Sequence, residues 1–312
     1  MAEQAVIDAN NLSKVYGDLV AVNTLNLQVQ EGEIFGFLGP NGAGKTTTIL
    51  MLLGLTEPTT GTAKVCGYNC SRDPIKVKRL TGYLPENIGF YSELTARQNM
   101  MYTARLNGIP EKQALSKISE LLGLVGLPEV ANKKVGEFSR GMKQRLGIAD
   151  VLVKDPKVVI LDEPTLGIDP DGSARILELI MDLSRQRGIT IMLSSHLLHQ
   201  VQRICNRVGI LVKGKMVALG TVDQLGKKLE AGKTTIEIEV SPTTPQLMDS
   251  IKKIPGVINV EKSEHLITIT CDKDVRPEIV KTVAQTNSNL LQLRLQDYTL
   301  EEIYLRYFRE VR

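Results

Sequence analysis

Gly39-Pro40-Asn41-Gly42-Ala43-Gly44-Lys45-Thr46-Thr47 is the stretch that most narrows what this chain can fold into. It fits Gly-x4-Gly-Lys-[Ser/Thr], and its flanks supply the context that this pattern needs: Ile34 to Leu38 reads as a short buried strand and Thr46 to Leu53 as a helix. Glycines at 39, 42 and 44 permit positive φ. A row of backbone N–H groups can then face an anion, and the following helix points its positive end at the same place. Lys45 is placed to reach β- and γ-phosphates, and the Thr46 hydroxyl to hold Mg²⁺. The order strand, loop, helix therefore predicts a nucleoside triphosphate site at the edge of an α/β sheet.

The 312 residues are enough for two domains with cores of their own. Lys and Arg total 38 against 35 Asp and Glu, a net charge of +3 with no strongly basic block, which disfavours generic nucleic-acid binding. Apolar runs such as Ile49 to Leu53 fall far short of the ~20 residues that cross a bilayer, and the N-terminus lacks the layout of a signal peptide, so a soluble, cytoplasmic chain is expected. Cys66, Cys70, Cys205 and Cys271 show no zinc-type pairing and are assigned no chemistry.

Val6 to Val15 and Leu19 to Val29 alternate apolar and polar residues around Gly17-Asp18, predicting an antiparallel hairpin that leads into the buried strand, with Tyr16 at its end. Pro58 to Gly61 reads as a turn, Thr62 to Gly67 as a strand and Tyr83 to Glu86 as a strand end. From Thr95 to about Lys154 the pattern is helical, broken at 107–110, 126–128 and 136, as for a helical insertion in a nucleotide-binding core. Inside it, Ser139 caps a helix with apolar positions 142, 146, 149 and 153. That helix start could be a second anion site, although the stretch alone reads first as an ordinary cap.

Val158 to Leu161 followed by Asp162-Glu163-Pro164 reads as a buried parallel strand that delivers two acids to the ligand crevice, Asp162 near Mg²⁺ and Glu163 against the attacking water. Asp169-Pro170 opens another helix with Ile176, Leu179, Ile180 and Leu183 on one face. The strand Ile189 to Leu193 ends at Ser194-Ser195-His196, bringing an imidazole to the same sheet edge, within reach of a γ-phosphate. Strands at 207–212 and 216–219, joined by Lys213-Gly214-Lys215, close this part of the chain.

In this order the motifs resemble the ATP-binding subunit of an ABC transporter, over about Ile7 to Gln224. The resemblance implies an α/β fold: a P-loop ATPase core with an antiparallel β subdomain and an inserted helical subdomain at about 85–155. It also implies ATP and Mg²⁺ as cofactors, Tyr16 stacking on adenine, and Lys45, Glu163 and His196 as the catalytic set. Head-to-tail dimerisation would let Ser139 and Gly141 of one protomer cover the γ-phosphate held by the other. The family's Leu-Ser-Gly-Gly-Gln appears here as Phe138-Ser139-Arg140-Gly141-Met142, and its metal-sensing glutamine as Glu86, set with Thr46 and Asp162 at the metal. Both departures resemble the drug-resistance or ABC-2 branch of bacterial exporters. There the ATPase sits at the cytoplasmic face of the membrane as a peripheral subunit and drives a separate permease chain, with no nucleic-acid partner. A soluble ATPase acting on ribosomes or DNA is the alternative, but this chain carries one ATPase domain and no long heptad run.

The ATP-binding domain is expected over 1–225 and a second domain over 226–312. The latter reads strand, helix, strand, strand, helix, strand and final helix, a small α+β ferredoxin-like unit suited to regulation or dimerisation. His265 and Cys271 stand singly and predict no ligand site. In the final helix, Thr299 and Glu302 form a capping box, and Leu300, Ile303, Tyr304, Tyr307, Phe308 and Val311 make a stripe expected to pack on the sheet of its own domain or, alternatively, on a second protomer.

Overall fold

The computed structural model describes residues 5–229, 234–263, 266–286, 288–295 and 299–310, in two compact units, Met1–Gly220 and Thr221–Glu310. The first unit opens with the long hairpin β1 (Ala5–Tyr16) and β2 (Leu19–Gln30), whose alternation of buried and exposed residues follows the strand period of two. The loop-leading strand β3 (Ile34–Leu38) is buried along its whole length, as its unbroken apolar run requires. Next come α1 (Lys45–Leu52), β4 (Thr60–Val65), β5 (Tyr68–Asn69), α2 (Pro74–Leu80) and β6 (Thr81–Leu84). The helical insertion contains α3 (Ala96–Leu106), α4 (Glu111–Leu124) and α5 (Arg140–Leu152), with short 3-10 turns at Pro128–Val130 and Val135–Glu137. Thr95 caps α3 with a reciprocal box to Gln98. Then follow β7 (Val158–Asp162), α6 (Pro170–Arg187), β8 (Thr190–Ser194), α7 (Leu198–Ile204), β9 (Arg207–Val212) and β10 (Lys215–Gly220).

Two sheets result. An antiparallel sheet runs β2-β1-β4-β5, and a six-stranded sheet runs β10-β9-β3-β8-β7-β6 with parallel pairing from β9 to β6. A shared core fills the space between them, with Ile7, Leu12 and Leu27 from one sheet meeting Phe35, Phe37, Ile160 and Met192 from the other and Ile49 from α1. Because β3, β7 and β8 are parallel neighbours, their C-terminal tips open on one edge, the edge at which α/β sheets bind ligands.

The second unit begins with α8 (Val222–Leu229), which runs through the position 225 where composition placed the boundary. It continues with β11 (Thr234–Ser241), α9 (Pro245–Lys252), β12 (Val257–Ser263), β13 (Leu266–Cys271), α10 (Arg276–Gln285), β14 (Asn289–Leu295) and α11 (Leu300–Glu310). The sheet order β12-β13-β11-β14, antiparallel throughout, is that of a ferredoxin-like fold. Ile236, Ile238, Ile267 and Ile269 bury one sheet face against Leu247, Ile251, Ile279 and Val283 of α9 and α10. The capping box of α11 forms: the Thr299 hydroxyl oxygen accepts from the Glu302 N–H at 3.3 Å, and the Glu302 carboxylate accepts from the Thr299 N–H at 3.2 Å. Helix α11 lies against α8, and Leu300 and Ile303 of its stripe are buried, as is Leu225 of α8. The expectation overlooked α8, a short helix of mixed polarity that stands beside α11 in the same unit. His265 and Val311 lie outside the described residues.

Candidate nucleotide site

At the phosphate loop the backbone takes φ values open chiefly to glycine, +77° at Gly42 and +102° at Gly44. Gly44 has a second constraint, since a Cβ there would lie 2.3 Å from the Ala21 carbonyl oxygen of β2. Gly44 is also the N-cap of α1, and no side chain caps it, so the first-turn N–H groups of the helix stay available to a ligand. Thr46 is exposed at this helix start, as are Asn41 and Gly42 of the loop, whereas Ala43 is buried. The Lys45 ammonium bends back onto the loop and donates to the carbonyls of Gly39 at 2.7 Å and Pro40 at 3.2 Å.

Burial holds the Lys45 ammonium below the ordinary lysine range, while the negative charges of Glu163, Asp162 and Glu86 pull it back up. That balance marks these three acids as the charges around the lysine. Asp162 and Glu163 are nearly fully buried at the tip of β7, and Glu86 is exposed just beyond the tip of the adjacent β6. Asp162 accepts a hydrogen bond from the Ser194 hydroxyl, its register partner on β8. Glu163 leaves the strand at φ +50°, a left-handed conformation costly for a residue with a side chain, while its N–H donates to the Ser194 carbonyl at 3.0 Å. Its carboxylate oxygen Oε2 lies 2.9 Å from Nδ1 of His196. The imidazole thus pairs with the carboxylate of Glu163, a contact that neither residue type announces by itself.

Ser194 was not legible as a site residue. The signal available was positional, since two parallel strands that end at the same level bring their last side chains together. The buried Thr165 hydroxyl, which donates to Gln200 Oε1 at 2.6 Å, braces the turn after Glu163 against α7 in the same way.

Tyr16, Ser139 and Gly141 stand on other elements, at the end of β1 and at the start of α5. Tyr16 is exposed at the end of β1 with the Lys14 ammonium 4.9 Å from its ring centre. Ser139 caps α5, its hydroxyl oxygen accepting from the Met142 N–H at 3.2 Å, which leaves the hydroxyl proton free to donate. Gly141 lies beside Ile168 of the turn that follows the acids. Asp169 caps α6 by accepting from the Gly172 N–H at 2.9 Å. Among the described residues no cluster of three or more His, Cys, Asp or Glu could hold a metal by itself, and no helix is long and apolar enough to cross a membrane.

Residues 22–166 match the family model described as ABC transporter. The chain is 36% identical over 305 residues to the linearmycin resistance ATP-binding protein LnrL of Bacillus subtilis, covering 96% of this chain and 97% of that protein. It is 45% identical over 223 residues to the bacitracin transport ATP-binding protein BcrA of Bacillus licheniformis, 72% of each. The Nod factor export ATP-binding protein I of Burkholderia lata matches at 35% over 302 residues, 97% of this chain and 96% of that one. Among solved structures, an ATP-binding subunit of an ABC transporter superposes with a TM-score of 0.66 at 31% identity, covering 72% of this chain and 93% of that one. CbiO1 of Clostridium perfringens, part of the cbiONQ complex, gives 0.66 at 28% identity over 73% and 92%.

Proposed function

This chain belongs to the ABC transporter ATP-binding family, and from that premise we propose that it is the ATP-hydrolysing subunit of an exporter whose permease is a separate chain. The carrying observation is the cluster at the tips of β7 and β8, where Glu163, paired with His196, stands with Asp162 around the phosphate-loop lysine. Relatives named for resistance, bacitracin transport and Nod factor export support the export direction. The enzyme works at the cytoplasmic face of the membrane, bound to its permease, and pairs with a second copy that brings its own Ser139 and Gly141 to the γ-phosphate.

In this reading the loop N–H groups from Gly39 to Thr47 cradle the phosphates, and Lys45 leaves its two carbonyl partners for phosphate oxygens, a stronger, charge-assisted contact. Tyr16 stacks on the base. Glu163 takes the proton of the attacking water, and His196, whose Nδ1 stands 2.9 Å from Oε2 of Glu163, holds that carboxylate in one orientation. The donors suit Mg²⁺, a hard cation that favours hydroxyl and carboxylate oxygens and needs few of them from the protein. Thr46 and Asp162 would hold it, with Glu86 beside them, and the ion when bound supplies positive charge to the β- and γ-phosphate oxygens.

The test is a pair of variants assayed for nucleotide affinity and for turnover. Glu163→Gln is expected to keep ATP affinity while turnover falls by about 10²–10⁴, because every phosphate contact survives. Lys45→Ala is expected to weaken ATP binding itself, because it removes the charge aimed at the phosphates. Near-normal hydrolysis by Glu163→Gln would take Glu163 out of the mechanism, and tight ATP binding by Lys45→Ala would count against the loop.

A further inference from the structure

The turn that leaves Glu163 is held from outside by the first residues of α5. Gly167, two residues before the cap of α6, adopts φ +68°, and the face where a side chain would stand is taken by Arg140. A Cβ on Gly167 would lie 2.4 Å from Nη1 of Arg140, 2.7 Å from its Cζ and 3.2 Å from its Nε, so the guanidinium plate covers the bare Cα. One residue on, Ile168 is the nearest neighbour of Gly141 and also lies against Gly172 at the start of α6. Arg140 itself is exposed and makes no hydrogen bond or ion pair among the described residues, and its guanidinium stands against Gly167.

We infer that Arg140 is a positioning residue for catalysis: seated on Gly167, its guanidinium fixes the turn that carries the strained backbone of Glu163 and so holds the carboxylate where the water must lie. The inference rests on the proposed role of Glu163. A planar, rigid plate suits this seat, and a flexible ammonium does not. The residue touches neither phosphate nor water in this role and acts through the turn. Small misplacements of a catalytic group cost rate far more than affinity.

The test compares Arg140→Ala, Arg140→Lys, Gly167→Ala and the Arg140→Ala/Gly167→Ala double variant in the full chain, with ATP affinity, KM and kcat measured separately. Arg140→Ala is expected to lower kcat on the order of tenfold to a hundredfold with ATP affinity unchanged, and Arg140→Lys to fail to restore it. Gly167→Ala expels the guanidinium, so the double variant is expected to be no slower than the slower single one. If Gly167→Ala does not fold, the exposed Arg140 position still carries the test through the lysine comparison. Full restoration by lysine would mean that charge and not the seated plate matters, and would overturn the inference, as would kcat within twofold of the parent in Arg140→Ala or multiplicative losses in the double variant. Glu163→Gln run alongside separates the two proposals: if it hydrolyses normally the role of Glu163 fails, whereas if it is inactive and Arg140→Ala is normal only the present inference fails.

Discussion

Asp150 lies in the C-terminal half of α5, the helix whose first turn holds Ser139 and Arg140, and its charge is poorly met. Oδ2 accepts from the Thr103 hydroxyl of α3 at 3.1 Å, but Oδ1 is buried with no hydrogen-bond partner among the described residues. The nearby Lys154 attracts it only in part, because that ammonium donates to the Lys78 carbonyl at 2.6 Å and is itself pushed down by burial. Burial therefore raises the Asp150 carboxyl from its ordinary 3.8 to about 6, against the opposing effects of Thr103 and Lys154. A folded-state value above the unfolded one means that the folded chain binds the extra proton between those two pH values. Stability then falls as pH rises from about 4 to about 6 and levels off above. The gap of roughly two pH units corresponds to about 3 kcal/mol. Asp150→Asn keeps a neutral group of the same shape. Hydrogen exchange of the α5 amides, compared between parent and variant at each pH so that intrinsic exchange cancels, reads the local opening free energy. The two are expected to differ by under about 1 kcal/mol at pH 4 and by about 3 kcal/mol above pH 7, the variant being the more protected. A difference that stays constant with pH, or a parent that gains on the variant as pH rises, would refute the argument.

Glu86→Gln is expected to shift the Mg²⁺ concentration that supports half-maximal hydrolysis while leaving most of the ATP affinity, because it removes one of three carboxylates around Lys45 and none of the phosphate contacts; an unchanged Mg²⁺ titration would show that this side chain stands clear of the metal. Ile303→Ala is expected to destabilise the second unit by about 2–4 kcal/mol, a cost typical of truncating a fully buried isoleucine, since Ile303 is 1% exposed on α11 where that helix meets α8. Urea unfolding followed by circular dichroism checks it, and an unmoved transition would mean that α8 and α11 contribute no core.

Long periodic segments and glycine-marked turns were the most legible parts of the fold. The hairpin, β3, the helices from 96 to 152 and the β-α-β-β-α-β order of the second unit could all be read, because one-sided burial writes its period into the sequence. The helices α2, α7 and α8 were not: seven or eight residues span barely two turns and give no clear period, and these three lack the motif or the strand order that revealed the equally short α1 and α9. In the candidate site, residue types and spacing pointed to Lys45, Asp162, Glu163 and His196. Their partners were hidden for a physical reason: Ser194 reaches Asp162 through strand register, and Arg140 reaches Gly167 across a turn 27 residues away by number. Such contacts depend on how elements stack, which no local pattern records.

The common level at which the strands end also determines where this molecule can change in length. Phe37 and Asp162 both lie beside Ser194 in the parallel ladder, and Leu38 lies beside Ile210. One residue gained or lost within β3, β7 or β8 would turn every later side chain of that strand to the opposite face, sending an acid into the core or a core residue into the crevice. The α3–α4 connection at Asn107 to Pro110 carries no such register, so a few added residues there cost little beyond loop closure. Lineages descended from a chain like this one are thus free to lengthen and remodel the helical insertion while the three strand tips keep their residue count, and new specificity can accumulate at the periphery without resetting the chemistry.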